Sequence, residues 1–99
     1  MQESMINFDY SLMFVTDDRI SDDNKFFSIL ESALDGGVTI VQLIEKSINS
    51  RIFFERALKA KNYCNRYNVP LIINDRLDIA ISVDADGVHL GQQDLHYNI

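Results

Sequence analysis

The chain has one cysteine, one proline, four glycines and no tryptophan among its 99 residues. A lone thiol, Cys64, excludes a disulfide framework and a thiolate metal cluster. Placed in a helical pattern, it reads as a small buried hydrophobe rather than a nucleophile. No apolar run approaches the ~20 residues that cross a bilayer, so a membrane partner is not expected. The opening MQESMINFDY lacks the basic start and apolar middle of a secretory signal, and the chain reads as cytoplasmic. Positive charge is scarce: 15 acids against 9 bases leave a formal net charge of -6. That argues against nucleic acid, whose binders usually carry a basic face to displace counterions. What remains, 46% hydrophobic and 24% charged residues, suits one globular domain over 1–99.

Short apolar runs alternate with amphipathic stretches. LMFVT (12–16) reads as a buried strand opening into polar DDRISDD. Ser21 is placed to cap a helix whose first turn carries Asp22 and Asp23. Phe26, Leu30, Ala33 and Leu34 follow at helical spacing, and Gly36-Gly37 ends that helix. Residues 38–43 form the next strand. Ser50 is placed to cap a longer helix with a stripe of Phe53, Ala57, Ala60, Cys64 and Tyr67, stopped by Asn68 and Pro70. A strand over 71–73, a short helix over 76–83 and a strand over 87–90 complete a βαβαβαβ pattern, after which a further helix is expected. Apolar strands separated by helices indicate an α/β fold with a parallel sheet covered on both faces or closed into a barrel.

Each strand exits into a polar cluster: Asp17-Asp18-Arg19, then Gln42 to Lys46, then Asn74-Asp75-Arg76, then Gln92-Gln93-Asp94. In parallel α/β architectures these carboxyl ends converge on one rim, where ligands bind. The two-residue strand period puts Gln42, Ile44 and Lys46 on one face and Val41, Leu43 and Glu45 on the other. Lys46 offers a positive charge, Gln42 and Asn74 offer neutral donors, and Asp75 and Asp94 offer hard oxygen ligands. Magnesium uses one or two carboxylates plus substrate phosphates and keeps several waters, so this set fits a Mg-diphosphate ligand.

Each residue also has a blander reading. Asp75 can cap the helix that follows it, Asp94 can be a loop acid, and Lys46 a solvated lysine. His89, inside a strand, is more often a hydrogen-bonded core histidine than an acid or base. Asp17, Asp18 and the acidic turn 84–86 read as loop solvation, and Tyr63 and Tyr67 as packing.

In order, the pieces are recognisable. GGVTIVQLIEK, followed after a helix by VPLIINDRLDIAISVDADGVHLGQQDL, closely resembles the thiamine-phosphate synthase family from LMFVTDDR to Leu95. PLIINDR and ADGVHLGQ-x-D are the most specific blocks. The resemblance implies a (β/α)8 TIM-barrel type fold, at least ~200 residues when whole, of which this chain holds the first four βα elements. It implies a transferase of thiamine biosynthesis that joins hydroxymethylpyrimidine diphosphate to hydroxyethylthiazole phosphate, releasing diphosphate with Mg2+ as cofactor. By the same resemblance, the substrate-binding positions of the family's Q-L-R-E-K segment fall on Gln42, Ile44 and Lys46, and the Asn of its I-N-D motif on Asn74. Its two metal-binding aspartates fall on Asp75 and Asp94, and no acid or base catalyst is implied.

The chain departs from that family at Ile44, where the resemblance asks for Arg. A bidentate donor suited to phosphate is replaced there by an apolar branch. Ile44 motivates an alternative identity as a non-catalytic phosphate-binding paralogue, similar to the thiazole tautomerases, and the partial barrel motivates three more expectations: part of a longer or split protein, self-association or a complementing chain that completes the barrel, or an inactive fragment.

Overall fold

A computed structural model describes residues 8–46 and 49–90 and the backbone of 95–98. The order is β1 (Met13–Val15), α1 (Asp23–Asp35), β2 (Ile40–Leu43), α2 (Ser50–Arg66), β3 (Leu71–Asn74), α3 (Leu77–Ser82), β4 (Gly87–Leu90) and β5 (Leu95–Asn98). The sheet runs β1-β2-β3-β4-β5 in sequence order. The first four strands are parallel, in the registers Met13 to Ile40, Val41 to Leu71 and Ile72 to Gly87. Crossovers between parallel strands are right-handed, so strands added in sequence order, always in one direction, put every helix on the same side. A doubly wound sheet would instead reverse direction and cover both sides.

Strand alternation divides the side chains accordingly. Phe14, Val41, Leu43, Leu71, Ile73 and Val88 pack with Phe26, Phe27, Leu30, Leu34, Phe53, Ala57, Ala60 and Cys64 of α1 and α2. Ile40, Gln42 and Ile72 alternate with these and occupy the opposite side, where they are also buried. Phe27 of α1 stacks on Tyr63 of α2, with ring centroids 5.4 Å apart.

The caps correct the sequence reading by one residue at each long helix. Asp22, not Ser21, caps α1, its Oδ1 accepting from the N–H groups of Asn24 and Lys25. Asn49, not Ser50, caps α2 through a 2.9 Å bond from the Ile52 N–H. Asp and Asn side chains cap at least as well as Ser, and Ser50 is left to accept a bond from Arg76. Gly37 makes the return to β2 with φ 96°, a left-handed value that glycine adopts without penalty.

The larger correction is β5. The tail was expected to begin a helix; instead Leu95–Asn98 folds back antiparallel on β4, with His96 opposite His89. An edge strand presents unpaired N–H and C=O groups, and this ribbon supplies partners for those of β4.

Candidate active site at the strand carboxyl ends

Parallel register brings the ends of β1 to β4 to one rim. Gln42 lies beside Val15 and Ile72, and Asn74 beside His89. Gln42 is 8% exposed, and its Nε2 lies 3.8 Å from Met13 Sδ, a weak acceptor that leaves the amide suited to a stronger one. The β2 ladder ends at Leu43, yet the chain beyond is fixed. The buried Thr16 donates its N–H to the Gln42 carbonyl, and its Oγ1 accepts the Ile44 N–H, each over 3.0 Å. Ile44 is half-buried, and Lys46 is exposed with no ion pair among the described residues.

Asp75 follows β3 with φ 65°, a left-handed conformation unusual for a side chain with a Cβ. Its N–H donates to the His89 carbonyl over 2.7 Å, and its Oδ2 accepts from Asn74 Nδ2 at 3.2 Å. The blander reading of Asp75 as a helix cap is not what the backbone does. Arg76 occupies the cap position of α3, and no side-chain cap bond is made there. Strained left-handed residues concentrate at functional sites, where the surroundings over-determine them. Arg76 makes two bonds to Asp78, at 2.9 and 2.8 Å, and a third to Ser50 Oγ at 3.0 Å. The loop after β3 is thereby tied to the start of α2.

Three acids differ in their environments. The Arg19 guanidinium, hydrogen-bonded to Asp17, holds that carboxyl at about 2. Arg76 does the same to Asp78, also about 2. Glu45 moves the other way: burial raises it, with the Arg56 charge opposing. Burial also pushes the Cys64 thiol up to about 12, in keeping with an inert core residue.

Two residues that sequence reasoning passed over shape this rim. Thr16 looked like the end of a greasy run. Arg56 sits inside the apolar stripe of α2, one residue before Ala57, and is 5% exposed. A charge on an otherwise apolar helix face was the available signal. Asp86, read as loop solvation, instead accepts the Leu71 N–H at 2.8 Å and a bond from Lys61 Nζ at 3.3 Å, so it anchors the start of β3. Asp94, with Gln92 and Gln93, lies outside the described residues.

A cavity of about 640 Å³, lined by Asp9, Thr39, Asn65, Asn68, Pro70 and Asp86, opens at the amino-terminal ends of the strands, away from this rim. A smaller one of about 190 Å³ lies between the end of β1 and α1, against Phe14, Ile20, Phe26 and Ile29. Among the described residues no three His, Cys, Asp or Glu side chains cluster as a metal cage. Asp75 fits a metal such as Mg2+, which takes one or two protein carboxylates and draws its other ligands from substrate and water.

Comparison with known proteins agrees with this architecture. The family model described as thiamine monophosphate synthase matches residues 12–99. A thiamine-phosphate synthase of Methanobrevibacter smithii is 53% identical over 91 residues, covering 92% of this chain and 43% of the relative. Another, from Alkaliphilus oremlandii, is 55% identical over 91 residues, covering 92% of this chain and 44% of its own. The solved structure of a thiamine phosphate pyrophosphorylase from Pyrococcus furiosus superposes with a TM-score of 0.76 at 31% identity, over 87% of this chain and 41% of that one. The chain therefore spans less than half the length of these relatives. No helix among the described residues is long and apolar enough to cross a membrane. With four parallel strands of its five-stranded sheet built as part of a (β/α)8 barrel, and a family match over nearly its whole length, the chain belongs to the thiamine monophosphate synthase family.

Proposed function

We propose that residues 1–99 are the N-terminal half of a (β/α)8 barrel and carry the pyrimidine diphosphate part of a thiamine-phosphate synthase site. In the reaction we assign to the completed barrel, diphosphate leaves hydroxymethylpyrimidine diphosphate. The ring nitrogen of hydroxyethylthiazole phosphate then bonds to the exposed methylene carbon, giving thiamine phosphate. The observation that carries this reading is Asp75, an acid held in a strained conformation at the rim and hydrogen-bonded to the neighbouring Asn74.

In this reading Lys46 neutralises diphosphate oxygens, and Gln42 and Asn74 donate hydrogen bonds to the pyrimidine diphosphate. Asp75 and Asp94 would hold Mg2+, whose chemistry is Lewis-acid stabilisation of the leaving diphosphate. No covalent enzyme intermediate is needed, because charge stabilisation and positioning suffice. The working place is the cytoplasm, and the remaining βα units of the barrel come from further residues of a longer protein, from a second chain or from a further copy.

Ile44 favours one second reading, a paralogue that keeps phosphate affinity without turnover, since an apolar side chain stands where the family pattern has a guanidinium. Calorimetric titration with the pyrimidine diphosphate and Mg2+ tests the shared part: saturable heat near one site per chain, lost in Asp75→Ala and Lys46→Ala, is expected. Absence of heat from a folded chain overturns both readings. Thiamine phosphate formed by a complemented barrel separates the first from the second.

A further inference from the structure

Arg56 gathers three parts of the fold around one guanidinium. Its Nη1 donates to Glu45 Oε1 at 3.2 Å, just beyond β2. Its Nη2 and Nε donate to Asp23 Oδ1 at 2.6 and 3.1 Å, in the first turn of α1, and Nη2 reaches the Ser21 carbonyl at 3.4 Å. The guanidinium carbon lies 4.0 Å from the centroid of the Phe26 ring. Arg56 and the Glu45 side chain are 5% and 2% exposed, whereas Asp23 is 63% exposed.

A buried ion pair is a weak source of stability, because desolvating both charges offsets their attraction, and apolar replacements of similar volume often do as well. Its geometry is what an apolar replacement cannot supply. Strand pairing of β2 stops at Leu43, and two anchors then hold the chain: the Ile44 N–H on Thr16 Oγ1, and the Glu45 carboxylate on Arg56. Lys46 follows directly. We propose that Arg56 is a positioning residue: braced by Asp23 and Phe26, it clamps Glu45 and so fixes the course of Ile44 to Lys46, presenting that segment to a phosphate-bearing ligand. This rests on the diphosphate reading of the rim. It adds a residue of α2 that touches no ligand.

The test uses the 99-residue chain with Arg56→Lys, Arg56→Met and the double variant Arg56→Met with Glu45→Gln, the last leaving no bare carboxylate behind. Urea unfolding reports stability. Amide hydrogen exchange at Ile44, whose N–H is bonded to Thr16 Oγ1, reports the segment, with the Val41 amide, bonded to the Pro70 carbonyl, as the core reference. Titration with Mg2+ and inorganic diphosphate reports binding. In the double variant we expect an unfolding midpoint near that of the parent and exchange at Ile44 faster by about 10-fold, with Val41 unchanged. Diphosphate affinity should fall by a similar factor, roughly 10-fold, the scale of one lost charge-assisted contact. Arg56→Lys should recover part of both. Should Arg56→Met fail to fold, the double and lysine variants decide. Unchanged exchange at Ile44, or a change that only tracks Val41, overturns the clamp. A parent chain that binds no Mg-diphosphate overturns the diphosphate reading, and the exchange data still settle the clamp.

Discussion

The Asp75 N–H donates to the His89 carbonyl over 2.7 Å, tying the end of β3 to β4 at the residue where the backbone turns left-handed. That bond continues the β3–β4 pairing one residue beyond Asn74 opposite His89. The acid is thus delivered to the rim by sheet hydrogen bonding rather than by a flexible loop.

The left-handed φ of Asp75 gives the first prediction. Asp75→Ala should be less stable than Asp75→Gly by about 1 kcal/mol, because Gly adopts φ 65° without Cβ strain. Urea midpoints of the two variants check this. Equal midpoints would mean the backbone relaxes out of the left-handed region. Both variants should lose Mg-dependent diphosphate binding alike, so stability and ligand affinity separate at one position.

Ile44 gives the second. Ile44→Arg should tighten Mg-diphosphate binding by about 10-fold or more, the scale of a hydrogen bond to a charged group, roughly 1.5–3 kcal/mol. The residue is half-buried just past β2, so its replacement by a longer side chain can reach the rim. Calorimetric affinities for the two proteins decide the matter, and no gain sinks the explanation of what Ile44 removes.

Acid stability gives the third. Asp17 and Asp78 fall from 3.8 to about 2 in the folded chain, through hydrogen bonds from Arg19 and Arg76. A carboxyl lowered by folding contributes stability above its unfolded value and loses it as pH falls through the folded one. Their contribution should be full above about pH 4 and gone below about pH 2. Both pairs are solvent-exposed, so the effect should be small and weakened by salt. Urea midpoints of the parent and Asp78→Asn across that window, at low and high salt, test it. A difference that persists at neutral pH but not at acid pH is the expected signature. Glu45 has the opposite sign: its raised carboxyl costs stability as pH rises through its folded value.

Cys64 gives the fourth. Fully buried, with its thiol raised to about 12, it should resist thiol reagents in the native chain at neutral pH and react only on unfolding. Its labelling rate should follow urea-induced unfolding. Cys64→Ser should cost about 1–3 kcal/mol, since a buried hydroxyl there needs a partner.

Much of this architecture was legible in the sequence, for physical reasons that vary by element. β4 was read at its observed bounds because GVHL is a short apolar run between an acidic turn and a polar exit. The α2 stripe of Phe53, Ala57, Ala60 and Cys64 was read because its spacing is helical. Arg56 was missed because periodicity sorts residues by polarity, while a buried ion pair depends on Glu45 and Asp23, 11 and 33 residues away. The caps were misplaced by one position because Ser21 and Asp22, and likewise Asn49 and Ser50, are adjacent capping residues that sequence alone ranks nearly equal. β5 was missed because the expected helix came from the repeating βα pattern, whereas the pairing comes from an unsatisfied edge.

β5 also changes what can join this sheet. With Leu95–Asn98 paired along β4, the hydrogen-bonding row on that side is already occupied, whereas β1 has a strand neighbour on only one side among the described residues. A strand arriving beside β1 could add directly. One arriving beside β4 must first strip the ribbon away, so growth on that flank is an exchange reaction. Its rate depends on how fast four residues peel off, and its driving force on the difference between two pairings rather than the whole of one.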